Sequence, residues 1–128
     1  MTSFLKRLFL PSGQRVEDAE TQAGFEIRFE NLPVGILRYN NGLWVFHYTD
    51  AFKEQKNVNP VSDFPNIEKT YTSEVLWPFF AVRIPGLKQP RVIEIMEEAS
   101  IEPGNQIALL RKFGRYTVSN PYQLVPIE

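Results

Sequence analysis

The feature that most limits how this chain can fold is Asn41-Gly42, set between two runs rich in apolar side chains. Both central positions of a two-residue hairpin turn favour positive φ, which Asn and Gly tolerate. Residues 34–39 and 43–48 are therefore expected to be antiparallel strands joined by that turn. Upstream, Phe25, Ile27 and Phe29 alternate with Glu26, Arg28 and Glu30. That period of two predicts a half-buried strand over 25–30, with Asn31, Leu32 and Pro33 as the turn that follows. In the strand 43–48, Trp44, Phe46 and Tyr48 share one face and Leu43, Val45 and His47 the other. Apolar residues on both faces predict a central strand covered on both sides.

Residues 49–69 are less regular. Ala51, Phe52 and the polar run 53–57 fit either a short helix or an excursion. Pro60 and Pro65 bracket Val61, Ser62, Asp63 and Phe64, which predicts an extended segment that cannot lie mid-sheet. Helical patterns then take over. Residues 76–84 form an apolar block containing Trp77, Phe79 and Phe80, with Pro78 tolerable in a first turn and Pro85-Gly86 as the stop. Pro90 opens a second helix with Val92, Ile95, Met96 and Ala99 at helical spacing, and Pro103 opens a third carrying Ile107, Leu110 and Phe113, closed by Gly114. Residues 122–127 read as a last strand.

Strands, then helices, then a strand predict an α+β fold. The expectation is a small antiparallel sheet or partial barrel with an N-terminal hairpin, about three helices in the second half and a C-terminal strand. Residues 1–24 are expected to be an extension, in which Phe4, Leu5, Leu8 and Phe9 could line one face of a short helix before a polar linker. Residues 25–128 are expected to be the domain proper.

Composition narrows the chemistry. At 128 residues, with 43% hydrophobic and 13% aromatic side chains, the chain suits one domain with a real core. Fourteen basic and 15 acidic residues give a net charge of -1, which argues against a phosphate backbone as the main partner. The absence of Cys excludes disulfides, zinc–thiolate sites and cysteine nucleophiles, and a single His47 cannot build a multi-histidine metal site. The glycines form no phosphate-cradling loop and no GxSxG elbow. Glu97 and Glu98, adjacent on a helix, diverge and belong to a solvated face. No catalytic residue, cofactor, metal or small-molecule substrate is expected, and the chain reads as a non-enzyme. Lys6, Arg7 and Pro11 interrupt the N-terminal apolar residues, so no signal peptide is expected. A short amphipathic segment there could touch a membrane or a partner, but a frayed or packed-down terminal helix is the expected reading, with no membrane partner and a cytoplasmic location.

The residues left as candidates are binding residues. Trp77-Pro78-Phe79-Phe80 holds more aromatic surface than a small helix can bury, and Trp and Phe dominate interface hot spots. Phe64, between two prolines, is either a lid over the core or a contact. Arg111, Lys112 and Arg115 stand where a helix dipole favours cations. With Tyr116 they form the alternative candidate, a contact for nucleic acid or an acidic partner.

These residues together resemble the N-terminal domain of HipA-type kinase toxins. That domain carries an "xVGxL" strand, a Gly-containing hairpin, an "FxY" strand, a "PLSxSLPL" segment, an "FFxNLLP" helix and a terminal "LLxxxGRDxxGAVxLxP". The matching pieces are Val34-Gly35-Ile36-Leu37, Phe46-His47-Tyr48, Pro60-Val61-Ser62, Phe79-Phe80 with Ile84-Pro85, Leu109-Leu110 through Gly114-Arg115, and Gln123-Leu124-Val125-Pro126. They span roughly residues 25–127. The chain departs from the pattern at Asp63-Phe64-Pro65, at Val82-Arg83-Ile84, at Tyr116 and at Ser119-Asn120. The resemblance implies a free-standing, HipS-like component: an antitoxin or regulatory subunit for a HipA-type serine/threonine kinase in a separate chain, beside a helix-turn-helix repressor. Phe64, Trp77, Phe80 and Arg83 are the expected partner contacts. The alternatives are a structural half of a split toxin, needed for the kinase to fold or work, and a nucleic-acid-binding module using Arg111, Lys112 and Arg115.

Overall fold

Three antiparallel strands start the described part of the chain, which in this computed structural model is residues 22–127. The expected helix with Phe4, Leu5, Leu8 and Phe9 lies outside those residues. Strands β1 (Gln22–Phe29), β2 (Leu32–Asn40) and β3 (Leu43–Tyr48) follow one another in register. The turn between β2 and β3 has φ 49° at Asn41 and 93° at Gly42, the positive pair the dipeptide predicts. The turn between β1 and β2 falls one position earlier than expected, on Glu30 and Asn31, with Glu30 at φ 55°. Leu32 and Pro33 are therefore the start of β2. Pro33 stands opposite Arg28 just past a register slip at Ile27/Arg28, where a strand tolerates a missing amide.

Two further strands complete an open sheet. Strand β4 (Tyr71–Ser73) pairs with β3, and β5 (Gln123–Ile127) returns to pair with β1, all antiparallel, in the order β4-β3-β2-β1-β5. Registered pairs place Phe25, Leu37, Phe46 and Tyr71 in one row, with Ile27, Trp44, Tyr48 and Leu124 on the same face. This face is the core side, and its burial is the main favourable term in the fold. The prediction for β3 needs correction. The strand is central by pairing, but only Trp44, Phe46 and Tyr48 are buried; Val45 and His47 are half-buried and Leu43 is exposed. Their partial cover comes from cross-strand neighbours, with Ile36 opposite His47 and Arg38 opposite Val45.

Among the described residues four helices accompany the sheet. The short α1 (Asp50–Lys53) answers the question left open for residues 51–57. Thr49 caps it: its hydroxyl accepts from the Phe52 amide at 3.0 Å and donates to the Pro33 carbonyl at 2.6 Å, and Phe52 stacks on Tyr48 at 4.7 Å. Helix α2 (Pro78–Ala81) begins with its proline and is shorter than the apolar block suggests. Helix α3 (Pro90–Glu98) buries Val92 and Met96 against Leu109 in a small second cluster. Helix α4 (Gln106–Phe113) starts after Asn105, not at Pro103, because the Asn105 side chain supplies the acceptor for the Ala108 amide at 3.0 Å. Gly114 closes α4 as expected, but at φ -87° it is not left-handed. It is needed for space: a Cβ there would lie 2.5 Å from the Leu110 carbonyl oxygen.

Candidate docking surface

The candidate surface is assembled on an aromatic cluster whose centre is Phe64. Residues 61–64 are not extended. They form a tight turn in which the Phe64 amide donates to the Val61 carbonyl at 2.8 Å. The Tyr48 hydroxyl draws this turn onto the sheet, donating to the Phe64 carbonyl at 2.6 Å and accepting from the Val61 amide at 3.0 Å. Two backbone groups of the buried residues Val61 and Phe64 are thereby satisfied by one side chain. Burial pushes the Tyr48 hydroxyl up to about 12, against the lowering effect of the Val61 hydrogen bond. The Phe64 ring then sits 4.5 Å from Phe46, 5.0 Å from Tyr71, 5.2 Å from Trp77 and 6.0 Å from Phe80.

The four expected contact residues occupy different depths. Phe64 and Phe80 are fully buried, and Arg83 is nearly so; they shape the surface from beneath and present almost none of it. Of the two readings left open for Phe64, its burial is that of a lid over the core, because the Tyr48 hydroxyl turns the segment inward. Trp77 is half-buried, meeting Phe64 edge-on at 90° and Phe80 at 6.2 Å. On either side of it along the chain stand Val75, 72% exposed, and Val82, 50% exposed. The sequence reading missed both valines: Val75 lies one residue before the apolar block, and within the block no periodicity separates Val82 from the core.

Arg83 has a position that spacing did not suggest. Its guanidinium donates from Nη1 to the Gly114 carbonyl at 3.1 Å and the Arg115 carbonyl at 3.4 Å, and from Nη2 to Asn120 Oδ1 at 3.0 Å. It also lies 5.9 Å over the Phe79 ring. A cation on carbonyls just past the C-terminal end of α4 is favoured by the helix dipole. Burial lowers its pKa to about 10, which leaves it charged at neutral pH. Lys112, Arg115 and Tyr116 are exposed at the same end of α4, and Arg111 is half-buried.

Among the described residues no cluster of His, Asp or Glu could hold a metal, and no helix is long and apolar enough to cross a membrane. His47 Nδ1 lies 3.2 Å from the Tyr48 carbonyl oxygen, as a half-buried strand histidine can. An open cavity at one end of the sheet is lined by Gln22, Gly24, Arg38, Asn40 and Ile127 among others, away from the aromatic cluster.

Comparison with known proteins agrees with this layout. The family model described as the HipA N-terminal domain matches residues 25–118. The chain belongs to the HipA N-terminal domain family. A solved structure, the N-terminal domain of HipA toxin, has the same fold at a TM-score of 0.55 and 15% identity, over 83% of this chain and 93% of that one. No curated protein matches. The HipA-type motifs now have places: Val34-Gly35-Ile36-Leu37 lies in β2, Phe46-His47-Tyr48 in β3, Phe79-Phe80 in α2 and Leu109-Leu110 in α4. In this HipA N-terminal domain the departures Val82-Arg83 and Tyr116 fall at the exposed valine, the buried clamp and the loop after α4.

Proposed function

We propose that this domain is a non-catalytic protein-binding module that docks on a HipA-type serine/threonine kinase and serves as its antitoxin or regulatory subunit. Family membership supports the choice of partner. The observations that carry the docking reading are half-buried Trp77, set edge-on against Phe64, and the exposed Val75 and Val82 on either side of it along the chain. Large aromatics seated on a rigid base and ringed by apolar residues are typical interface anchors. Phe64 and Phe80 fix the height of the Trp77 ring, and Arg83 fixes the segment that follows it. Docked in this way, the domain would hold the kinase in one arrangement by binding that arrangement better than others.

Co-expression with a HipA-type kinase encoded beside it tests the proposal. A stable complex and relief of kinase-dependent growth arrest are the expected results. Failure of the two proteins to co-purify overturns the reading. Loss of toxicity when this chain is deleted, in place of increased toxicity, selects the split-toxin alternative.

A further inference from the structure

Residues 103–127 contain three basic side chains and no acidic one, in a chain whose net charge is -1. Beneath the loop that follows α4 lies a fourth cation, Arg83, only 3% exposed, whose hydrogen bonds go to two carbonyls and an amide oxygen. Among the described residues no carboxylate is paired with it. A buried charge that no anion cancels adds to the potential of the surface above it. Neither Lys112 nor Arg115 has an ion-pair partner among the described residues.

The loop 115–120 is tied at both ends. The Arg115 carbonyl accepts from the Leu124 amide at 3.0 Å as well as from Arg83, and Asn120 Oδ1 accepts from the Tyr122 amide at 3.1 Å as well as from Arg83. Inside it the Ser119 amide donates to Thr117 Oγ1 at 3.2 Å. On this tethered frame Tyr116 is 66% exposed and Val118 105% exposed. Folding has already ordered the loop, so a partner that buries these two side chains loses little conformational entropy at this site.

We infer that the loop 115–120 is a second contact with the kinase, placing Tyr116 and Val118 in an apolar hollow whose rim is acidic and faces Lys112 and Arg115. The inference rests on the docking reading above and adds a surface separate in sequence from the Trp77 rim. A protein partner fits better than a nucleic acid. A fully exposed valine at the tip contributes nothing to phosphate binding, and three cations are few beside the roughly 6–10 phosphate contacts of a salt-sensitive DNA binder.

The test is titration of the purified kinase with the unaltered chain and two variants, at low and at raised salt. Val118→Asp is expected to weaken binding about tenfold or more, since burying a carboxylate in an apolar hollow is unfavourable. The double variant Lys112→Glu with Arg115→Glu is expected to slow association and to remove most of its salt dependence. Thermal unfolding of Val118→Asp should match the unaltered chain, because that side chain is exposed, and the charge variant should lose only a little stability through the dipole of α4 while staying folded at the assay temperature. If the unaltered chain binds and both variants bind equally well, the inference is overturned and the docking reading stands. If the unaltered chain does not bind the kinase, both are overturned. Retardation of a mixed-sequence DNA duplex, lost in the charge variant and kept in Val118→Asp, assigns the loop to nucleic acid and overturns the inference.

Discussion

The ring of Phe46 fills the space where a side chain at Gly35 would stand. A Cβ on Gly35 would lie 2.5 Å from Phe46 Cε1 and 2.6 Å from Cζ. The two residues sit diagonally on β2 and β3, since Gly35 pairs with Tyr48. Phe46 cannot withdraw easily, because Tyr48, Phe64 and Phe80 hold its ring at 5.1, 4.5 and 5.8 Å. The glycine of the family's "VGxL" strand thus has a steric reason to be there.

Gly35→Ala should therefore destabilise the domain by about 1–3 kcal/mol, the usual cost of overpacking a dense core. The midpoint of urea unfolding measures it. An unchanged midpoint would show that the Phe46 ring has room to move.

Tyr48→Phe removes one hydroxyl and leaves the Val61 amide and the Phe64 carbonyl without partners in a buried place. The expected loss is about 1–3 kcal/mol at neutral pH, with faster hydrogen exchange at the Val61 amide. The pH dependence has a definite sign. Burial raises the Tyr48 pKa from 10.0 to about 12, so the folded state keeps a proton that the unfolded state releases between those values. Stability from this group is complete below pH 10 and is lost as pH rises toward 12. The stability gap between the unaltered chain and the Tyr48→Phe variant should narrow over that window in alkaline unfolding curves. Arg83, whose lowered pKa acts in both chains alike, cancels in the difference.

Arg83→Lys should not preserve the clamp. One ammonium cannot reproduce a fork whose Nη1 serves Gly114 and Arg115 while Nη2 serves Asn120. A loss of about 1.5–3 kcal/mol is expected, the range for hydrogen bonds to a charged group. Hydrogen exchange should quicken first in residues 115–122. Uniform quickening across the sheet instead would show that Arg83 supports the fold as a whole and not that loop.

Val75→Asp separates docking from folding. Val75 is exposed, so unfolding should shift by less than about 0.5 kcal/mol while kinase binding is lost. Phe64→Ala should do the reverse in order of severity, destabilising by about 3–5 kcal/mol through the cavity it leaves. Parallel binding and unfolding measurements on the two variants decide the matter. Full binding by Val75→Asp would move the contact away from the Trp77 rim.

Legibility in the sequence followed how local each determinant is. Asn41-Gly42 specifies its own turn, and the alternation of Phe25, Ile27 and Phe29 specifies its own face, so both were readable. Tyr71–Ser73 carries no such signal: three residues become β4 only because β3 offers them an edge. The aromatic block could be found but not apportioned. Whether Phe64 points in or out depends on a hydroxyl sixteen residues away, and Trp77 becomes the rim because Phe64 and Phe80 take the interior. The Arg83 clamp spans more than thirty residues of chain and has no spacing to betray it. Val75, Val82 and Val118 sit in no periodic pattern that assigns them a face, and only the folded chain shows them facing water.

The ends of the sheet bear on how such a domain can be recruited. Strand β4 offers three residues, and β5 carries Pro126, which has no amide to donate. Each border of the described sheet offers a foreign chain only a short or interrupted ladder for backbone pairing. Recognition is thereby driven to side chains, and with it comes selectivity: a partner must match the shape and charge of particular residues, because the generic ladder that would welcome any extended peptide has been cut short at both margins.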